Sequence, residues 1–126
     1  MTKPFVLVVD DEPDLRELVA LTLSDAGFDV AVARDGREAL QRIAERKPDI
    51  VLLDMMMPVM NGQELCAQLR KNGDSLRLVV MTAADHVSQC AREVGAVGWL
   101  AKPFEIDDLV DAIRRGLVVP TEGSAS

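Results

Sequence analysis

Ile50-Val51-Leu52-Leu53-Asp54 is the stretch that leaves this chain the fewest ways to fold. Four apolar residues run directly into a carboxylate, with Lys47-Pro48-Asp49 before them and Met55-Met56-Met57-Pro58 after. A strand with one wet face alternates apolar and polar residues. An unbroken apolar run bounded by turn residues belongs instead to a strand covered on both faces. Such a strand requires a sheet held between two layers of helices. It also puts Asp54 at the carboxyl end of an interior strand, the place where open α/β sheets bind their ligands.

The rest of the chain supplies that sheet. Phe5-Val6-Leu7-Val8-Val9 is a second apolar run and ends in Asp10-Asp11-Glu12. Strands are also expected over Phe28 to Ala33, over Leu76 to Met81 ending at Thr82, and over Val97 to Ala101 ending at Lys102-Pro103. Helical spacing fills the intervals. Leu15, Leu18, Val19, Thr22 and Leu23 follow Pro13 and stop at Gly27, and Ala39, Leu40, Ile43 and Ala44 follow a cap at Asp35-Gly36. Leu65, Cys66 and Leu69 follow Asn61 as N-cap and end near Asn72-Gly73. Val87, Cys90, Ala91 and Val94 follow Asp85 as cap and close at Gly95, and Ile106, Leu109, Val110 and Ile113 run to about Gly116. Strict alternation of strand and helix means βαβ units with right-handed crossovers. The expected fold is α/β, a flavodoxin-like doubly wound (βα)5 with a five-stranded parallel sheet in the order 2-1-3-4-5.

Residues 1–117 are read as one domain and 118–126 as a flexible tail or the start of a linker. The net charge of -7 argues against direct nucleic-acid binding and favours metal cations and basic partners. No apolar run approaches the ~20 residues of a membrane span, and the apolar stretch after Met1-Thr2-Lys3-Pro4 is too short for a signal peptide. Cys66 and Cys90 lack metal-type spacing and read as buried thiols of a cytoplasmic protein. His86, at a helix start, is expected to face solvent.

In this fold the first, third, fourth and fifth strands end side by side, in Asp10-Asp11, Asp54, Thr82 and Lys102. Three clustered carboxylates repel one another and call for a cation. An all-oxygen donor set suits a hard ion such as Mg²⁺. A carboxylate beside such an ion can attack a phosphoryl group, with the metal, an ammonium and a hydroxyl steadying the transferred oxygens. Taken singly, each residue has a plainer reading: Asp10 and Asp11 as helix caps, Lys102 as a solvated lysine, Trp99 as packing. For Asp10, Asp11 and Lys102, convergence on one sheet edge outweighs those readings.

At these residues the chain resembles the receiver domain of bacterial two-component response regulators. The resemblance rests on Val8-Val9-Asp10-Asp11-Glu12, on Leu53-Asp54-Met55-Met56-Met57-Pro58-Val59-Met60-Asn61-Gly62, on Met81-Thr82-Ala83, on Gly95-Ala96 and on Lys102-Pro103-Phe104, and spans roughly residues 5 to 117. It implies that Asp54 is the phosphoacceptor, charged from a sensor histidine kinase or a phosphotransfer protein. It implies Mg²⁺ as cofactor, with Asp11 as the main acidic ligand, Asp10 its usually water-mediated neighbour, Asp54 itself, and the backbone carbonyl of Met56. Thr82 becomes the switch hydroxyl and Lys102 the ammonium that pairs with the phosphoryl group. Trp99 falls on the switch aromatic, where relatives more often carry Tyr or Phe. The resemblance also implies a cis Lys102-Pro103 peptide, and an unnamed downstream protein reading the face of the fourth helix, fifth strand and fifth helix.

Two departures stand out. The stretch from Thr82 to Gly95 looks about two residues short, and Glu105 replaces a better helix cap. With only the short tail after the last helix, the chain reads as a stand-alone regulator or as a receiver cut from a longer protein. Its chemistry is expected to be limited to self-phosphorylation and self-dephosphorylation.

Two other classes compete. A haloacid-dehalogenase-type phosphatase or phosphotransferase also uses Asp, Mg²⁺, Thr and Lys. It carries its nucleophile in an Asp-x-Asp motif after the first strand, a spacing that Asp10-Asp11-Glu12 lacks. A flavodoxin-like electron carrier needs a hydroxyl- or glycine-rich phosphate loop at that point, where these acids would repel the flavin phosphate.

Overall fold

The computed structural model describes residues 3–57, 60–73, 75–83 and 85–119. Pro58 as the stop after the third strand, Val59 within the same motif, and tail residues 120–126 lie outside the described residues. Five strands and five helices alternate: β1 (Phe5–Val9), α1 (Pro13–Asp25), β2 (Asp29–Ala33), α2 (Gly36–Glu45), β3 (Ile50–Asp54), α3 (Gly62–Lys71), β4 (Leu78–Ala83), α4 (Val87–Val94), β5 (Gly98–Lys102) and α5 (Ile106–Val118). The strands form one parallel sheet in the order β2-β1-β3-β4-β5.

Side chains alternate across a strand, so an all-apolar strand feeds two cores at once. Leu7, Val9, Val51, Leu53 and Val80 pack on one face with Ala39 and Ile43 of α2, Leu65 and Leu69 of α3, and Val87 and Ala91 of α4. Val6, Val8, Ile50, Leu52, Val79 and Met81 pack on the other with Val19 and Leu23 of α1 and Leu109 and Ile113 of α5. β1 and β3 are buried along their whole length. The continuous apolar runs are therefore a direct consequence of the two helix layers.

Several local expectations hold in detail. The Asp35 side chain accepts the Glu38 N–H, and Asn61 and Glu64 form a reciprocal capping box at the start of α3. Glu105 precedes α5 without a side-chain cap. Others are corrected. β4 begins at Leu78 rather than Leu76 and extends through Thr82 to Ala83, and β5 runs from Gly98 through Lys102. Asp85 does not cap α4; His86 is the N-cap residue, with no side-chain cap bond, and the Asp85 carboxylate lies 3.4 Å from the exposed His86 ring. Leu18 is exposed, because only the Val19–Leu23 edge of α1 faces the sheet. Cys90 is half-buried rather than buried, while Cys66 is buried.

Candidate functional site

The ends of β1, β3 and β5 converge as the topology requires. Register pairs Val9 with Leu53 and Asp54 with Met81, so the residues that follow β1 lie beside the end of β3. Thr82 pairs with Ala101 and Ala83 with Lys102, one step further out on β4 and β5. Asp10 is 1% exposed and Asp54 3%. Oxygens of Asp10, Asp11 and Asp54 all lie within 4.8 Å of one another, with Asp11 half-open to solvent.

Among the described residues the Lys102 ammonium serves two of the three, Asp10 and Asp54. Lys102 Nζ stands 3.1 Å from Asp10 Oδ2, 3.4 Å from Asp54 Oδ2 and 3.6 Å from the exposed Glu12 Oε1. The turns themselves fix the remaining oxygens. Asp10 Oδ1 accepts the Glu12 N–H at 2.9 Å, and Asp54 Oδ1 accepts the Met56 N–H at 3.0 Å. Each carboxylate thus holds the first turn beyond its own strand, as Asp side chains do when they bond a backbone two residues on. The loop after β3 is also pressed from below: a Cβ on Gly62 would meet Met55 Cα at 2.9 Å, so only glycine lets α3 begin this close to the residue next to Asp54.

Burial pushes the Asp54 carboxyl up to about 6, although the Met56 N–H and the Lys102 charge pull it down; the nearby Asp10 charge adds to the rise. Burial works against the Lys102 charge as well, but the Asp54 and Asp10 carboxylates outweigh it and hold the ammonium above its ordinary value. The two statements agree physically. Lys102 faces several carboxylates and keeps its proton, whereas Asp54 has only a share of one cation to offset its burial. Burial raises the Cys66 thiol to about 11, so it stays protonated and inert.

The remaining residues are placed as follows. Thr82 is buried near the end of β4. Met56 lies two residues past Asp54 with its side chain 74% exposed, while Met55 and Met57 are buried core residues. Trp99 sits on β5, opposite Val80, and is 54% exposed. Register partners in a sheet share a face, so Trp99 and Thr82 lie on the same side, the one covered by α4. The Lys102–Pro103 peptide is cis. Two participants escaped the sequence reading: Glu12, through its approach to Lys102, and Arg16, whose Nη1 donates to the Asp10 carbonyl at 2.8 Å. Both are long side chains whose direction a one-dimensional pattern does not reveal.

The donor set fits a divalent cation. Three carboxylates against one ammonium leave an excess of negative charge, every candidate ligand is oxygen, and Asp11 keeps the pocket open on one side. Hard cations such as Mg²⁺ prefer such sites.

The chain is similar to known proteins in sequence and in fold. The family model of the response regulator receiver domain matches residues 6–114. The response regulator MprA of Mycolicibacterium vanbaalenii is 44% identical over 123 residues, which is 94% of this chain and 53% of that protein. The chain spans about half the length of the curated relatives it matches. Among solved structures, the chemotaxis response regulator CheY4 of Vibrio cholerae superposes with a TM-score of 0.83 at 36% identity, covering 91% of this chain and 99% of that one. The receiver domain of NtrX from Brucella abortus gives a TM-score of 0.83 at 34% identity, covering 91% and 99%.

Proposed function

The chain belongs to the response regulator receiver domain family, and from that premise we propose that Asp54 is the residue at which it takes up a phosphoryl group. The observation that carries this is the meeting of Asp10, Asp11 and Asp54 oxygens within 4.8 Å of one another, with the Lys102 ammonium on Asp10 and Asp54. The chain is a signalling domain; we take residues 1–117 as its receiver region and 118–126 as the tail, α5 ending one residue past that boundary at Val118. The haloacid-dehalogenase alternative finds no support in these relatives, and the candidate nucleophile sits on β3, not in the turn after β1.

In the proposed step one Asp54 oxygen attacks phosphorus and the bond from phosphorus to the donor breaks. For a histidine donor the electron pair leaves on the imidazole nitrogen; for acetyl phosphate it leaves as acetate. Bound Mg²⁺ supplies charge neutralisation for the phosphoryl oxygens. Asp11, Asp54 and the Met56 carbonyl are the residues assigned to hold it, with Asp10 behind them, its two oxygens already engaged by Glu12 and Lys102. Lys102, freed from part of its carboxylate contact, pairs with a phosphoryl oxygen, and Thr82 donates its hydroxyl to another.

Kinase or phosphotransfer protein upstream and a protein partner downstream follow from the same reading. So do the absence of direct nucleic-acid contact by this domain and a cytoplasmic setting. No helix among the described residues is long and apolar enough to cross a membrane.

Intact mass after incubation with acetyl phosphate and Mg²⁺ tests the proposal. A gain of one phosphate that disappears in chelator supports it; no gain at any Mg²⁺ concentration removes it.

The metal assignment has its own test. Because only the folded chain assembles the site, Mg²⁺ should raise thermal stability by mass action, ~2.7 kcal/mol at roughly a hundredfold excess over Kd. Asp11→Ala should remove most of that dependence. A melting curve of Asp11→Ala that still climbs with Mg²⁺ as the parent does would place the ligands elsewhere.

A further inference from the structure

Asp10 has each of its polar groups engaged. Its N–H donates to the Ala33 carbonyl at 3.1 Å, Oδ1 accepts from the Glu12 N–H at 2.9 Å, and Oδ2 accepts from Lys102 at 3.1 Å. Its carbonyl accepts the Arg16 guanidinium at 2.8 Å. That last bond comes from a side chain to which the phosphoacceptor reading gives no task.

Arg16 is the fourth residue of α1, one turn in from Pro13, and it is half-buried. Its own N–H donates to the Glu12 carbonyl at 2.9 Å. The residue therefore grips the turn after β1 twice, by its backbone at Glu12 and by its side chain at Asp10. The Asp10 carbonyl belongs to the same rigid plane as the Asp11 N–H, because the peptide group does not twist. Fixing that oxygen holds this plane, and the Glu12 N–H bond to Asp10 Oδ1 holds the next one, so the two planes that flank Asp11 together set where its Cα–Cβ bond points. Asp11 is the half-open carboxylate of the trio, while Asp10 and Asp54 are held by Lys102.

We propose that Arg16 is a positioning residue for the divalent cation: by holding the Asp10–Asp11 peptide it aims the Asp11 carboxylate at Asp54 across the pocket. This rests on the reading of the pocket as a Mg²⁺ site. Two effects of Arg16 oppose each other here. Its positive charge beside a cation site disfavours Mg²⁺, whereas its hydrogen bond favours Mg²⁺ by fixing a ligand. A planar guanidinium is suited to the second task, since it donates in a set direction where an ammonium does not.

Because the two effects differ in sign, substitution separates them. The quantity to measure is the Mg²⁺ concentration giving half-maximal labelling by acetyl phosphate, alongside the Mg²⁺-dependent shift in melting temperature. Arg16→Ala should raise both half-saturation points by roughly tenfold, as loss of a residue that orients a metal ligand does. Arg16→Lys, which keeps a donor and the charge, should recover part of the loss, and the labelling rate at saturating Mg²⁺ should stay close to that of the parent. A residue that only staples α1 to β1 would lower the metal-free melting temperature and leave the half-saturation points alone. Unchanged or lower half-saturation in Arg16→Ala overturns the proposal, the lower value being what charge alone gives. Should Arg16→Ala not fold, Arg16→Lys decides, since parent-like half-saturation there also overturns it. A parent protein indifferent to Mg²⁺ overturns the cation-site reading itself and the role of Arg16 with it, and that result is recognisable because no variant then responds.

Discussion

Asp54→Asn is expected to abolish labelling by acetyl phosphate and, in the same protein, to raise stability at neutral pH. The first effect follows from chemistry: an amide oxygen is a poor nucleophile toward phosphorus and a poor ligand for Mg²⁺. Intact mass should show no phosphate on the variant at any Mg²⁺ concentration. Labelling equal to that of the parent would assign the phosphoryl group to another residue.

The second effect follows from burial. The Asp54 carboxyl titrates near 6 when folded against 3.8 for the free group, so the folded state binds this proton more tightly than the unfolded one. A raised acid constant means that ionisation costs stability. The cost grows as pH rises from about 3.8 to about 6 and is complete above that. At 1.36 kcal/mol for each pH unit, removing the ionisable group recovers about 3 kcal/mol at most. The amide keeps an oxygen for the Met56 N–H but turns N–H donors toward Lys102, which gives part of that back. A gain of roughly 1–2 kcal/mol, several degrees in melting temperature, is the expectation at pH 8 in chelator. Near pH 4 the gap should close. A gap of the same size at both pH values would mean that the Asp54 charge is not its source. The site is thus destabilised by the carboxylate it uses, a common relation between function and stability.

How far the sequence anticipates this molecule depends on the kind of residue. β1 and β3 are legible to the residue, because a strand buried on both faces shows as an uninterrupted apolar run that stops where the chain meets water or a site. Asp35 and Asn61 are legible because caps act on their own neighbours. β4 is read early because Leu76 is apolar and yet precedes the ladder, and Leu18 is misplaced because helical spacing defines a wide stripe while the sheet covers only its Val19–Leu23 edge. The meeting of Asp10, Asp11, Asp54 and Lys102 is legible because topology alone brings strand ends together, with little dependence on side-chain rotamers; Thr82 is placed near the end of β4 by the same topology. Glu12 and Arg16 are not, since each has several rotatable bonds and the choice among rotamers is made by what surrounds the turn.

Beryllofluoride with Mg²⁺, standing in for the phosphoryl group, should make Trp99 markedly harder to quench. In the structure Trp99 is 54% exposed, opposite Val80 and on the same sheet face as Thr82. In the proposed reading a phosphoryl group on Asp54 would offer charged oxygens at the strand ends, and the Thr82 hydroxyl would donate to one of them. A hydrogen bond to a charged group contributes about 1.5–3 kcal/mol, enough to bias two conformers by roughly 10–100-fold. Moving Thr82 toward Asp54 vacates space on the α4 side of β4, and the Trp99 ring is the large group placed to enter it. The phosphoryl group shifts a population only to the extent that it contacts one conformer better, so the Thr82 bond is where the bias originates. The chain has one Trp and no Tyr, so its fluorescence reports this residue almost alone. Acrylamide, a neutral collisional quencher, should lose most of its access when the mimic is bound. Thr82→Ala should leave Mg²⁺ binding largely intact and return much of that access, because the hydroxyl is not a metal ligand in this assignment. Equal quenching with and without the mimic, at full occupancy, would make Trp99 a residue of the resting surface only and put the switch in another part of the α4, β5 and α5 face.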